Sequence, residues 1–276
     1  MVTRQVAVPG ADLEVVDWGA GEPVVFVQTA LVADELLPLA DHPRLAEGYR
    51  KILYHRRGYA GSGPVTGPGS IVRDAADCRA LLEAFGIPRA HIVGASLSGA
   101  IALQLAADAP ACVHSLTLLE PPPVHTASAP DFRAANDRLL QSRQERGLDA
   151  ALDEFLGMVI GPRWREEIER HVPGAADQME RDVRTFFDTD LAALLEWRFD
   201  RDDAGRIGAP LMHIGGSDSG PWFAEVRQLI LEWLPHAEDV VIDGADHSLA
   251  ITHTPQVAEA LAAFLRSHPL DPAAAR

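Results

Sequence analysis

The stretch His91-Ile92-Val93-Gly94-Ala95-Ser96-Leu97-Ser98-Gly99-Ala100-Ile101 decides how the rest of this 276-residue chain is read. Ala90 to Val93 is an apolar run of the length of a buried strand, and Ala100-Ile101-Ala102-Leu103-Gln104-Leu105-Ala106 carries a helical pattern. Between them stands Ser96, with a small residue two before it (Gly94) and two after it (Ser98). A turn that tight admits only small neighbours and lifts the serine hydroxyl above the sheet edge, which is the geometry of a nucleophile elbow. Small-x-Ser-x-small is common by chance; its place between strand and helix makes Ser96 the candidate nucleophile.

Outward from this point the chain alternates. Leu13 to Trp18 alternates as a strand, and Val24 to Val27 is a short buried one. Leu36 to Arg50 has helical spacing. Ile52-Leu53-Tyr54 is a further strand that ends in the glycine-rich loop His55 to Gly63. Ser70 caps a helix with apolar positions Ile71, Ala75, Cys78, Leu81, Leu82 and Phe85, stopped by Gly86 and Pro88. Ser115 to Leu119 is the strand after the elbow helix. The alternation predicts an α/β fold with a mostly parallel central sheet and helices on both faces. It breaks at Glu120-Pro121-Pro122-Pro123. From there to about Arg206 the chain is helical in character, at Phe132–Gln144, Leu148–Val159, Trp164–His171 and Ala175–Phe187. Such an insertion reads as a cap over the carboxyl edge of the sheet. Strands resume at Pro210–Ile214 and Val240–Ile242, and Pro255–Leu265 is the final helix. The expected organisation is a core in two parts, residues 1–121 and 207–268, a helical cap at 122–206, and a flexible tail at 269–276.

With 47% hydrophobic and 23% charged residues, the composition suits one large α/β domain with an inserted lobe. The formal net charge of −16 repels phosphate backbones and anionic lipid, which argues against nucleic-acid and membrane-surface roles. Cys78 and Cys112 form neither a disulfide framework nor a metal-ligand spacing, and the eleven histidines are scattered, so no metal and no cofactor are expected. Met1 to Val8 lacks an apolar signal region and no apolar run is long enough to span a bilayer; a soluble, cytoplasmic protein is expected. Whether it forms a homodimer is left open.

Over nearly its whole length the chain resembles the α/β-hydrolase family. The resemblance is carried by the elbow Gly94 to Gly99, the loop Arg56-Arg57-Gly58-Tyr59-Ala60-Gly61-Ser62 and the late segment Asp243-Gly244-Ala245-Asp246-His247. It implies the α/β-hydrolase fold with an all-helical cap, and a triad in the order nucleophile, acid, histidine. A serine at the elbow, where dehalogenases and epoxide hydrolases of this fold need a carboxylate, implies acyl chemistry. His247 takes the place of the family's histidine, after the strand Val240–Ile242 and before the last helix. Its imidazole suits a base that takes the serine proton and returns it to the leaving group. Two carboxylates compete for the role of acid. Asp218, in Gly215-Gly216-Ser217-Asp218, holds the commonest family position; Glu120, closing the strand Leu116–Leu119, holds the position used by certain lactonases. The resemblance to those lactonases favours Glu120, whose extra methylene suits the longer reach from that strand and whose carboxylate, closing an apolar strand, needs a partner; Asp218 remains the alternative. The oxyanion-hole donors implied are the N–H groups of Leu97 and, by register, Ala30. Ala30 lies in Gln28-Thr29-Ala30-Leu31, where relatives usually carry His-Gly; Thr29 adds a side chain and Gln28 replaces a bracing histidine.

The cap carries eight large apolar side chains expected to contact substrate, Phe155, Met158, Leu191 and Leu195 together with the named candidates Trp164, Phe186, Phe187 and Trp197; most are expected to pack between cap helices, with two or three facing the pocket. An apolar lining without a basic cluster implies a hydrophobic, uncharged small molecule. The function expected is a cofactor-free serine hydrolase that cleaves a carboxylic ester or lactone through an acyl-enzyme on Ser96. Two readings compete: a C–C bond hydrolase with the same triad, and a non-catalytic ligand-binding protein, for which the altered Gln28-Thr29 loop is the support.

Overall fold

The computed structural model describes residues 1–270. Eight strands form one sheet: β1 (Val2–Val8), β2 (Ala11–Gly19), β3 (Glu22–Val27), β4 (Tyr49–Tyr54), β5 (Ala90–Ala95), β6 (Val113–Leu119), β7 (Leu211–Gly216) and β8 (Glu238–Ile242). Their spatial order is β1-β2-β4-β3-β5-β6-β7-β8. β2 runs antiparallel to both neighbours, and every other pairing is parallel. The central strand β5 is buried at all six positions, which is why it reads as an unbroken apolar run rather than an alternation.

Helices cover both faces. α1 is Leu37–Ala40, α2 Ile71–Ala84 and α3 Leu97–Asp108. The segment after β6 holds α4 (Ala129–Arg146), α5 (Leu148–Val159), α6 (Trp164–His171), α7 (Ala175–Thr185), α8 (Leu191–Glu196) and α9 (Arg201–Ala204). α10 (Pro221–Trp233), α11 (Leu249–Thr252) and α12 (Thr254–Ser267) complete the chain. One core packs α2, α3 and α10 on the sheet through Leu81, Ile101 and Ile230. The other packs α1 and α12 through Leu39, Leu261 and Phe264. A third cluster lies within the helical insertion around Leu152, Ile168 and Met179, and it takes in Leu31 and Val32 from the loop after β3. The insertion therefore shares its core with the loop that the sequence marks as the oxyanion loop.

The α/β-hydrolase fold class stands as expected, with local corrections. Leu36 to Arg50 is not one helix: Pro38 and Pro43 cut it into α1 and a 3-10 turn, and Tyr49 already begins β4. The early part of β4 is hidden because Lys51 is buried there, its Nζ donating to the Leu45 carbonyl at 3.0 Å. The edge strand β1 buries only Val6 and Val8, and α10 only Val226 and Ile230, so neither leaves a strong apolar signal. Helix α7 ends at Thr185, and Phe186–Asp190 winds as a π turn into α8. Within the segment expected as a flexible tail, Leu270 is buried and its N–H donates to Glu22 Oε2 at 2.8 Å. Residues 271–276 lie outside the described residues. No helix of the described residues is long and apolar enough to cross a membrane.

Candidate active site

Ser96 joins β5 to α3 at φ 47°, ψ −121°, a strained conformation for a residue with a side chain. Two close approaches explain the glycines beside it. A Cβ on Gly94 would lie 2.4 Å from the Ser98 carbonyl oxygen, and one on Gly99 would lie 3.1 Å from Pro121 Cα. Ser98 Oγ ties the turn together, accepting from the Ala95 N–H and donating to the Ala95 carbonyl, each at 2.9 Å. The Ser96 N–H donates to the Leu119 carbonyl at 2.9 Å, which sets the elbow beside the end of β6.

Glu120 follows directly on β6, also with positive φ (45°), and is 1% exposed. Its Oε1 accepts the Gly216 N–H at 2.8 Å, and its Oε2 lies 2.7 Å from His247 Nδ1. His247 Nε2 lies 3.1 Å from Ser96 Oγ. Burial pushes the Glu120 carboxyl up, but the hydrogen bond and charge of His247 and the Gly216 N–H outweigh it and hold it below the usual carboxylate range. An ionised Glu120 fixes the proton on Nδ1 and leaves Nε2 to accept from the serine hydroxyl. Phe223 of α10 stacks on the imidazole, with ring centroids 3.9 Å apart and planes inclined by 14°. The structure thus brings Glu120 to His247. Asp218 lines the cavity nearby, but its Oδ1 accepts from Ser217 Oγ at 3.0 Å, and among the described residues it makes no hydrogen bond to His247.

The loop after β3 is braced by side chains in place of the usual histidine and glycine. Thr29 Oγ1 donates to the Ala95 carbonyl at 2.8 Å, so the extra side chain ties the loop to the elbow rather than filling the site. Gln28 Oε1 accepts the Arg56 N–H at 2.9 Å and its carbonyl accepts from Arg56 Nε at 3.0 Å. Arg56 is itself buried between two carboxylates, with Nη1 2.8 Å from Asp74 and Nη2 2.6 Å from Asp190 of the π turn. Burial raises the Asp74 carboxyl to about 6, against the pull of Arg56. From the cap, Gln178 donates to the Leu31 carbonyl at 3.0 Å and accepts the Ala33 N–H at 2.9 Å. Among the hydrogen bonds of the described residues, neither the Ala30 nor the Leu97 N–H is taken by a protein acceptor. Both residues line the cavity over Ser96.

That cavity measures about 460 Å³. Of the eight cap residues expected to contact substrate, Phe155, Met158, Phe186 and Leu191 line it; Trp164, Phe187, Leu195 and Trp197 do not. Trp197 is pinned to the core helix α3, its indole N–H donating to Gln104 Oε1 at 2.7 Å. Trp164 donates to Asp153 Oδ1 at 3.1 Å, and Phe187 packs within the cap core under Arg143. Aromatic side chains at helical spacing here serve helix packing. The apolar lining also takes in Leu139 from the cap, with Trp222 and Phe223 from α10. The α10 pair was unread because α10 was; Gly220-Pro221 followed by Val226 and Ile230 is the start signal and spacing that mark it.

Comparison with known proteins fits this geometry. A family model described as the alpha/beta hydrolase fold matches residues 32–156. A chain from Variovorax paradoxus (strain S110) named "Putative carbamate hydrolase RutD" is 31% identical over 212 residues, covering 70% of this chain and 75% of its own length. The chain belongs to the α/β-hydrolase family. Among solved structures, this α/β-hydrolase is similar to a thermophilic esterase from Thermogutta terrifontis (TM-score 0.81, 19% identity, 98% of this chain and 100% of that one). It is also similar to the enol-lactonase from Burkholderia xenovorans LB400 (TM-score 0.78, 19% identity, 95% and 100%). At such identities these two likenesses speak for the fold.

Proposed function

We propose that this α/β-hydrolase cleaves a carboxylic ester or lactone of a small, largely apolar molecule through an acyl-enzyme on Ser96. The observation that carries the reading is the unbroken chain from Glu120 Oε2 to His247 Nδ1 (2.7 Å) and from His247 Nε2 to Ser96 Oγ (3.1 Å), opening onto an apolar cavity. In this reading Ser96 Oγ attacks the carbonyl carbon while His247 Nε2 takes its proton, and Glu120 stabilises the imidazolium. The oxyanion settles between the N–H groups of Ala30 and Leu97, each such donor contributing about 10²–10³ in rate. Collapse expels the alkoxide, which takes the proton from His247; in a lactone it stays tethered to the acyl group. Water, activated by His247, then attacks the acyl-enzyme, releasing the carboxylic acid and restoring Ser96.

The same steps accommodate a carbamate carbonyl, and the name borne by the Variovorax relative favours that as the second bond type to assay. Turnover of p-nitrophenyl butyrate is the first test. Ser96→Ala should lower kcat/KM by more than about a thousandfold and leave the thermal melt unchanged. Turnover retained by Ser96→Ala would remove the nucleophile from the mechanism.

A further inference from the structure

Glu35, in the segment between β3 and α1, is a carboxyl that the proposed mechanism does not use. It lines the same cavity as Ser96 and His247 and keeps part of its surface accessible there. Its neighbours in the lining are mostly apolar, and among the lining residues there is no lysine or arginine to pair with it. Asp34, the next carboxylate along the chain, is already engaged by His55 Nε2 at 2.9 Å, whereas among the described residues no side-chain hydrogen bond acts on Glu35. An unpaired carboxylate against an apolar wall is costly unless a ligand supplies the missing donor. Two further carboxylates, Asp218 and Asp246, line the cavity, so its charged groups are acidic apart from His247.

We propose that Glu35 is the specificity-determining residue of this cavity: it selects ligands that carry an ammonium or N–H donor on an otherwise apolar skeleton and rejects those that carry a carboxylate. The proposal rests on reading the cavity as the substrate site, and it narrows the substrate class beyond apolarity. Burial raises the Glu35 carboxyl to about 7, against the attraction of His247. The preference for a cation is therefore full above that pH and fades below it, as the carboxyl takes up its proton.

The test uses binding to Ser96→Ala, so that it does not depend on turnover. Three probes share one skeleton: 3-phenylpropylamine, 3-phenylpropanol and 3-phenylpropanoate. Affinities are read by calorimetry at pH 8 and pH 6. At pH 8 the amine should bind about tenfold tighter than the alcohol, and the carboxylate about tenfold weaker, the range of one well-placed charge contact. The amine preference should shrink at pH 6. Adding Glu35→Gln should remove most of the preference and its pH dependence together. His247, Asp218 and Asp246 remain in both proteins, so any pH effect of theirs survives the substitution. Equal affinity for the three probes, or an amine preference with the same pH dependence after Glu35→Gln, would overturn the proposal. If the double variant does not fold, Glu35→Ala in the Ser96→Ala background takes its place, with the same two outcomes. Absence of this selectivity from the Ser96→Ala protein, with ester turnover intact in the unsubstituted protein, counts against Glu35 alone; selectivity without turnover counts against the hydrolase reading alone.

Discussion

Leu31, Ser96 and Glu120 are three of the four non-glycine residues with positive φ in the described chain, and all three border the proposed reaction centre. Such conformations cost about 1–3 kcal/mol each and persist only where their surroundings over-determine them. At Ser96 the elbow does so, and at Glu120 the bonds to Gly216 and His247 do so. The geometry predicts a clear ranking between the two candidate acids. Glu120→Gln keeps the volume but supplies the wrong partner for Nδ1, and kcat should fall by about 10³–10⁴. Asp218→Asn should change kcat by less than about tenfold, since nothing ties Asp218 to His247. The opposite ranking in steady-state kinetics would reassign the acid. Ser96 and His247 were legible in the sequence because an elbow imposes small neighbours and a late Asp-His follows a strand. Between the two carboxylates the sequence favours Glu120 without excluding Asp218, because both leave the carboxyl edge of the sheet and only side-chain trajectories separate them; the structure places Glu120, not Asp218, against His247 Nδ1.

Between elements, the decisive link is Arg56. It joins the loop after β3 to α2 through Asp74 and to the π turn through Asp190, and Tyr59 donates to Asp190 at 2.6 Å while accepting from the Leu31 N–H. Removing one member of a buried ionic cluster leaves the others uncompensated. Arg56→Met should therefore lower the unfolding free energy in urea by about 3–5 kcal/mol. In the folded fraction kcat should drop more than KM rises, because the Ala30 N–H loses its brace. An unfolding curve matching the unsubstituted protein would show that the cluster is not a structural tie. The sequence marks Arg56 only as part of a glycine-rich loop. Its partners lie 18 and 134 residues away, a pairing that no local pattern encodes. The missed elements share a reason: β1 and α10 each bury only two side chains, so their apolar period is too sparse to read.

For the molecule as a whole, the sheet and its flanking helices followed from strand–helix alternation, whereas the lining of the cavity did not. Helix periodicity tells which side chains are apolar but not whether they face a cavity or a neighbouring helix, as Trp197 and Phe186 show from opposite sides. Two histidines weaken the fold as pH falls. Burial lowers His125 to about 4, helped by repulsion from Arg133 and Arg198. Burial likewise lowers His91 to about 4, although Glu22 pulls the other way. Each is depressed below its unfolded value, so the folded state favours the neutral ring. That stability is full above pH 6.5 and is lost as pH falls towards 4. The contribution of these two histidines to the thermal midpoint should therefore fall between pH 6.5 and pH 4, opposite in sign to that of the raised Asp74 carboxyl. His125→Phe should flatten part of that fall. A fall of the same size in the variant would place the acid sensitivity elsewhere.

The central claim, that Ser96 is a nucleophile armed by His247 and Glu120, is tested most directly by covalent capture. The protein is incubated with an alkyl fluorophosphonate and read by intact mass and peptide mapping. One adduct per chain is expected, on Ser96, formed far more slowly in His247→Ala and absent in Ser96→Ala. A chain left unmodified, or modified at another residue while Ser96 stays free, would contradict the account.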